Sequence, residues 1–228
     1  KIILLSTLNA VIQKTLPKSE IKKNFITISK KIKFEIEKIL NLLVILGYER
    51  TSIVRDKSEF AVRGSIIDIF LPQFEKPIRL DLFDDDIESI FQFDPITQKR
   101  TVKSDLESFT INPSSELIID KDNLHKFRVK FRSLFQDYRK SSVYELFSHG
   151  VIPSGGEQYI PLFYEKLATL FDYCGNSQLI IHNDIIEIFD ERIENLFDYY
   201  NARIDSNEIF CLNPEYLFID KNYFNKIL

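Results

Sequence analysis

The chain has 228 residues, 44% apolar, 13% aromatic and 28% charged, with 30 basic against 34 acidic groups for a net charge of −4. This is globular composition, far from the low-hydrophobicity region where chains stay unfolded, and the length suffices for one or two domains with a real core. The longest apolar run, Leu42 to Leu46, falls well short of the ~20 residues of a membrane span.

No leader pattern is seen at Lys1 to Leu5. The two cysteines, Cys174 and Cys211, lie too far apart for a disulfide framework or a zinc cluster, which fits a reducing cytoplasm. His125, His149 and His182 lack metal-ligand spacing. No Met occurs, even at position 1, as expected of a piece of a longer protein.

The charge is unevenly spread. Residues 1–50 carry a net +6, residues 51–110 a net −4 and residues 111–228 a net −6. Lys14, Lys18, Lys22, Lys23, Lys30, Lys31, Lys33 and Lys38 raise the question of a phosphate-contacting surface. No Arg precedes Arg50 and no aromatic interleaving suggests base stacking, so a solvated linker and helix face is favoured.

Residues 1–12 are predicted as a strand entering a short helix capped by Thr7 or Asn9. Leu16-Pro17-Lys18-Ser19 breaks that pattern, because a residue before Pro avoids the helical region. From Lys33 to Leu46, Phe34, Ile36, Ile39, Leu40, Leu43 and Leu46 recur at helical spacing, and Gly47 closes the helix. Short runs follow at Glu59–Arg63, Ser65–Phe70, Ile78–Phe83 and Ile87–Phe93, separated by Gly64, Leu71-Pro72 and the acidic turn Asp84-Asp85-Asp86. That spacing predicts an antiparallel meander, with Thr101-Val102 and Phe109–Ile111 as further strands.

Pro113-Ser114-Ser115 marks a boundary. Helices are predicted beyond it over Lys121–Phe135 and Val143–Ser148, then a loop over Gly150–Pro161 and a buried strand at Gln178–Ile181. An amphipathic helix over Asp184–Arg203 turns Ile185, Ile188, Phe189, Ile193, Leu196, Phe197 and Tyr200 inward. Asn213-Pro214 opens a last short helix. The expected fold class is α+β, a meander module with a helix followed by a mainly helical part.

No catalytic constellation stands out. A phosphate loop needs GxxxxGK followed by Ser or Thr, and none of the six glycines stands in that frame. Ser154-Gly155-Gly156 has no neighbouring His and is predicted as a turn. Catalytic residues, cofactors and metals are expected to be none. What stands out is a surface. Side chains alternate along a strand, so Ile78, Leu80 and Leu82 take the core side and Arg79, Asp81 and Phe83 the other. Phe60 and Val62 likewise point inward and Arg63 outward. Arg63 and Arg79 then flank Phe83 on one exposed face, a composition typical of interface hot spots. Periodicity alone leaves open the alternative that Phe83 tucks under the Asp84 turn.

Gly47-Tyr48-Glu49-Arg50, the run Glu59 to Phe70, and Ile78 to Ile90 continuing to Phe93-Asp94-Pro95 resemble the UvrA-interaction module of two bacterial repair families, the excinuclease component UvrB and the transcription-repair coupling factor. Gly150 to Tyr164 and Leu167 to Tyr173 look like the coupling-factor family. His182-Asn183-Asp184 stands where UvrB would carry the Asp-Glu pair of its ATPase.

The resemblance implies residues 1–18 as the tail of a UvrB-like domain, 19–111 as the UvrA-interaction module, and 112–228 as a degenerate, RecA-like scaffold without enzyme activity. It implies UvrA as partner, bound through Arg63, Arg79 and Phe83, with Glu88 and Asp85 adding charge. For the full-length family member it implies ATP-driven DNA translocation, with RNA polymerase and double-stranded DNA bound through domains outside this segment. The alternatives are the equivalent segment of UvrB and a DNA-binding piece of a helicase.

Overall fold

The computed structural model describes residues 3–30, 35–84, 86–175, 177–206 and 210–228, with the backbone alone at 103 and 104. The elements run α1 (Leu8–Ile12), α2 (Lys18–Lys23), β1 (Ile26–Ser29), α3 (Ile36–Ile45), β2 (Glu49–Arg50), β3 (Glu59–Arg63), β4 (Ile66–Ile69), β5 (Ile78–Phe83), β6 (Asp86–Phe93), β7 (Arg100–Asp105) and β8 (Ser108–Ile111). Then come α4 (Lys121–Leu134), α5 (Ser142–Ser148), α6 (Ile160–Phe163), α7 (Leu170–Cys174), α8 (Ile185–Asp205) and α9 (Lys221–Ile227). The fold class is α+β. Two compact units emerge, Ser19–Asp120 and a second combining Lys1–Lys18 with Lys121–Leu228.

In the unit Ser19–Asp120, the described residues form a six-stranded sheet in the order β2-β3-β4-β5-β6-β7. Neighbours from β3 to β7 pair antiparallel, because each connection is a hairpin or short loop. The β3–β4 hairpin has a two-residue turn, Gly64-Ser65, and Gly64 carries the positive φ of +61° that such a turn needs at its first position. β2 joins the sheet edge parallel to β3, and β1 pairs antiparallel with β8 in a separate ribbon. Neither β1 nor β2 is predicted from the sequence. Both are short, β1 being held by a partner far along the chain and β2 by only two residues of the next strand.

The core on one face of the sheet gathers Phe60, Ile67, Ile69, Ile78, Leu80, Leu82, Ile87 and Ile90 with Leu43 and Leu46 of the α3 region. Ile87 and Ile90 are three residues apart, a spacing that plain alternation sends to opposite faces. A register shift between Asp81 and Leu82 leaves Glu88 without a partner on β5, so a bulge returns both isoleucines to the core. After α3, Gly47 turns the chain at φ +88°, where an added Cβ would stand 2.5 Å from Ser115 Cβ. Tyr48 is buried next to this turn and its hydroxyl donates to Asn112 O at 2.8 Å, burial raising the phenol well above its ordinary pKa. Lys33 and Phe34, placed by sequence at the start of this helix, and Lys31 lie outside the described residues.

The second unit is built on aromatics. Phe127 and Phe131 of α4 are fully buried, and Phe127 packs against Phe147 and Phe163 at ring-centroid distances of 4.8 Å each. α1 starts as expected, Thr7 accepting from the backbone N–H of Ala10. The strand predicted ahead of α1 is not formed by the described residues 3–7, and Ile3 and Leu5 are exposed. Gln178–Ile181 is likewise no strand, and Ile180 is 89% exposed. An extended apolar run becomes a strand only when another strand takes its backbone groups, and none among the described residues does so. The predicted loop before Pro161 folds into a 3-10 turn, Gly156–Tyr159, that leads straight into α6.

α8 buries Phe189, which stacks on Phe224 at 4.2 Å, with Ile185, Ile193 and Leu196 partly buried alongside. Ile188, predicted inward, is exposed, because it sits about 100° around the helix from Phe189.

This packing sets the cost of two substitutions. Gly47→Ala meets both the left-handed backbone and Ser115, and is expected to cost about 1–3 kcal/mol in equilibrium urea unfolding. An unchanged midpoint would contradict the close approach. Phe127→Ala empties the centre of the aromatic cluster and is expected to cost about 3–5 kcal/mol by the same measurement.

Candidate functional site

The sheet face opposite the core holds Arg63, Arg79 and Phe83. Register places Ala61, Asp68, Arg79 and Phe91 in one transverse row across β3, β4, β5 and β6. The next row is Arg63, Ile66, Asp81 and Ser89. Phe83 follows at the hairpin end, opposite Asp86. Direct antiparallel partners share a face, so these side chains stand together. Arg79 and Phe83 lie four residues apart on β5, roughly 13 Å at about 3.3 Å per residue.

Asp68 organises the first row. Its side chain is fully buried. Arg79 Nε donates to Oδ1 at 2.6 Å and Arg79 Nη2 to Oδ2 at 2.8 Å, a bidentate pair, while Arg63 Nη2 donates to Oδ2 at 2.5 Å. The Arg79 guanidinium also lies over the Phe93 ring, 4.3 Å from its centroid. Gln98 closes the other side, accepting from Arg79 Nη2 at its Oε1, 3.1 Å away.

Arg79 is therefore outward in the sense of strand alternation but not in the sense of solvent. Its side chain is only 13% exposed, against 40% for Arg63. The expectation of two arginines flanking Phe83 on an open face is corrected to one. Two loops cover the row of Arg79. Val54, fully buried in the loop before β3, forms an apolar cluster with Ala61, Phe70 and Phe93, and Phe91 packs on it. The β6–β7 turn supplies Gln98, held at φ +60°. Asp94 anchors that turn by accepting from Thr97 N at 2.7 Å, Thr97 Oγ1 at 3.0 Å and Ile96 N at 3.1 Å. Those bonds, chiefly the one from the Thr97 backbone, hold the Asp94 carboxyl below its ordinary pKa.

The hairpin end is bare. Phe83 is 76% exposed, which decides against its tucking under the turn. Asp84 follows at φ +56°, and Glu88 on the bulge is exposed. Asp85 lies outside the described residues. Sequence reasoning missed Asp68, Ile66 and Gln98. The signal for Asp68 was present, since an acid between Ile67 and Ile69 takes the face opposite theirs, the face of the arginines.

Elsewhere the described residues hold no group of three His, Cys, Asp or Glu able to bind a metal ion, and no helix among them is long and apolar enough to cross a membrane. His182 and Asp184 are exposed and face each other at 3.5 Å. A cleft of 480 Å³ in the second unit is lined by Lys14, Lys130, Tyr164 and Glu215 among others. Two of its lysines are engaged with the main chain, Lys14 Nζ donating to Glu215 O at 2.7 Å and Lys130 Nζ to Tyr164 O. Burial lowers the pKa of both.

Residues 26–117 match the family model described as the UvrB interaction domain. Over 229 aligned residues the chain is 32% identical to the transcription-repair-coupling factor of Haemophilus influenzae, covering 99% of this chain and 20% of that protein. The factor of Escherichia coli is 30% identical over 194 residues, 84% of this chain and 17% of the relative. That of Bacillus subtilis is 32% identical over 195 residues, 78% and 16% respectively. The chain thus spans about a fifth of the length of the curated relatives it matches. Residues 26–117 thus match the UvrB interaction domain family, in a chain similar over nearly its whole length to one stretch of the transcription-repair-coupling factors.

Proposed function

We propose that this chain is the part of a transcription-repair coupling factor that recruits UvrA, linking a stalled RNA polymerase to nucleotide excision repair by protein–protein binding. The docking face is the hairpin end of the sheet, with Phe83 as its apolar anchor and Arg63 as its cationic contact, Arg79 holding Asp68 behind it. The observation that carries this reading is Phe83, a large aromatic three-quarters exposed on the same sheet face as a partly exposed guanidinium. Such a side chain gains most when a partner pocket desolvates it. Arg63 Nε and Nη1 have no partner among the described residues and suit a carboxylate on UvrA.

The second unit serves as scaffold in this reading, and the segment performs no chemistry of its own. DNA translocation, polymerase contact and duplex DNA binding are assigned to the parts of the full-length relative that this chain does not span, acting in the cytoplasm.

Titration of UvrA with the chain tests the docking face. Phe83→Ala is expected to weaken binding by about 2–4 kcal/mol with an unaltered melting curve, and Arg63→Ala by about 1–2 kcal/mol with a lowered one, since it removes one of the two guanidiniums that neutralise buried Asp68. Unchanged affinity in the double variant would sink the assignment. Arg79→Ala is expected to behave differently, losing about 3–5 kcal/mol of fold stability by leaving buried Asp68 undercompensated. A wild-type melting curve for that variant would contradict the ion network.

A further inference from the structure

We infer that Gln98 is a positioning residue for the docking face, acting through Arg79 and Asp68 on Arg63; this rests on the docking reading above. The observation is how Arg79's donors are used. Nε and Nη2 are taken by Asp68, Nη2 is shared with Gln98 Oε1, and Nη1 points to Gln98 O at 3.5 Å. A guanidinium engaged in this way, stacked on Phe93 and largely covered, has little left to offer a partner carboxylate. Arg63 does.

Arg63 and Arg79 share Asp68 Oδ2, so the position of one guanidinium sets the place left for the other. Gln98 stops Arg79 from swinging off the sheet. Its own amide is tied down in turn, Nε2 donating to Pro95 O at 2.7 Å and to Val54 O at 3.3 Å. One side chain therefore joins both loops over the covered row and clamps Arg79 beneath them. The backbone of Gln98 is in the left-handed region, which glycine occupies without the Cβ penalty. A non-glycine residue held there, with its amide fully used, marks a position where the side chain is what matters.

Gln98→Gly separates the clamp from the fold. It removes the side chain while relieving the backbone, so the melting curve is expected to stay close to wild type. Affinity for UvrA, measured by calorimetric titration of the whole chain, is expected to fall about threefold to tenfold. In an Arg63→Ala background the same substitution is expected to have little further effect, because the clamp works through Arg63. Wild-type affinity in Gln98→Gly while Phe83→Ala loses binding would overturn the positioning role alone. So would a full additive loss on top of Arg63→Ala, or a melting curve well below wild type. A wild-type chain that fails to bind UvrA, or binds it without regard to Phe83, would overturn the docking reading and this inference with it.

Discussion

A carboxylate with no access to water has to be neutralised where it stands, and Asp68 stands in the middle of a sheet. The penalty for burying a single unpaired ion is several kcal/mol. Two guanidiniums on the two adjacent strands meet it, using both oxygens. The requirement reaches beyond the pair itself. Slipping β4 by one residue would drive Asp68 into the core among Ile67's neighbours and turn Ile67 and Ile69 outward. The ion network thus specifies register, and register places every other side chain on the face. The two-residue turn at Gly64-Ser65 agrees with it, since Arg63 then lies opposite Ile66 with Asp68 within reach.

That face is divided into a covered half and a bare half. Val54 and Gln98 come over the row of Asp68 and Arg79, where Phe93 supplies an aromatic floor. Nothing comparable covers Phe83 among the described residues. The bulge at Glu88 lies at this transition. Bulges increase local twist and bend the strand that carries them, and this one falls just where the β5–β6 hairpin becomes exposed.

Local patterns in the sequence carried the meander well. β3 and β5 lie where alternation places them, because each packs one apolar face on a single core. Their periodicity also put Arg63, Arg79 and Phe83 on one side. What alternation could not reveal was cover. Strand period says which side a residue takes, not whether a loop distant in sequence lies on it, and Arg79 is the case in point. The bulge was illegible for a related reason: Ile87 and Ile90 look inconsistent until one residue is lifted out of register. Leu179 to Ile181 failed the other way. Its composition suits a strand, but composition supplies no pairing partner, and apolar character alone does not bury a segment.

Charge on the proposed docking face bears on what affinity there would rest on. Arg63, Arg79 and Asp68 together carry one positive charge, and only the Arg63 end of it meets solvent. Asp81 stands in the row of Arg63, and the hairpin end beyond it carries Asp84, Asp86 and Glu88. The outer region is therefore acidic with one cationic point, and a partner has to place an acid at Arg63 while tolerating or matching the acids of the hairpin. Exposed charges at a rim act mainly on association rate and on the rejection of wrong partners. An aromatic ring moved from water into a pocket acts on residence. Phe83 is the large apolar group on the bare half, with Ile66 half-buried in the Arg63 row. In the proposed docking, affinity accordingly rests on the ring, and the arginine network sets where the one cationic point stands.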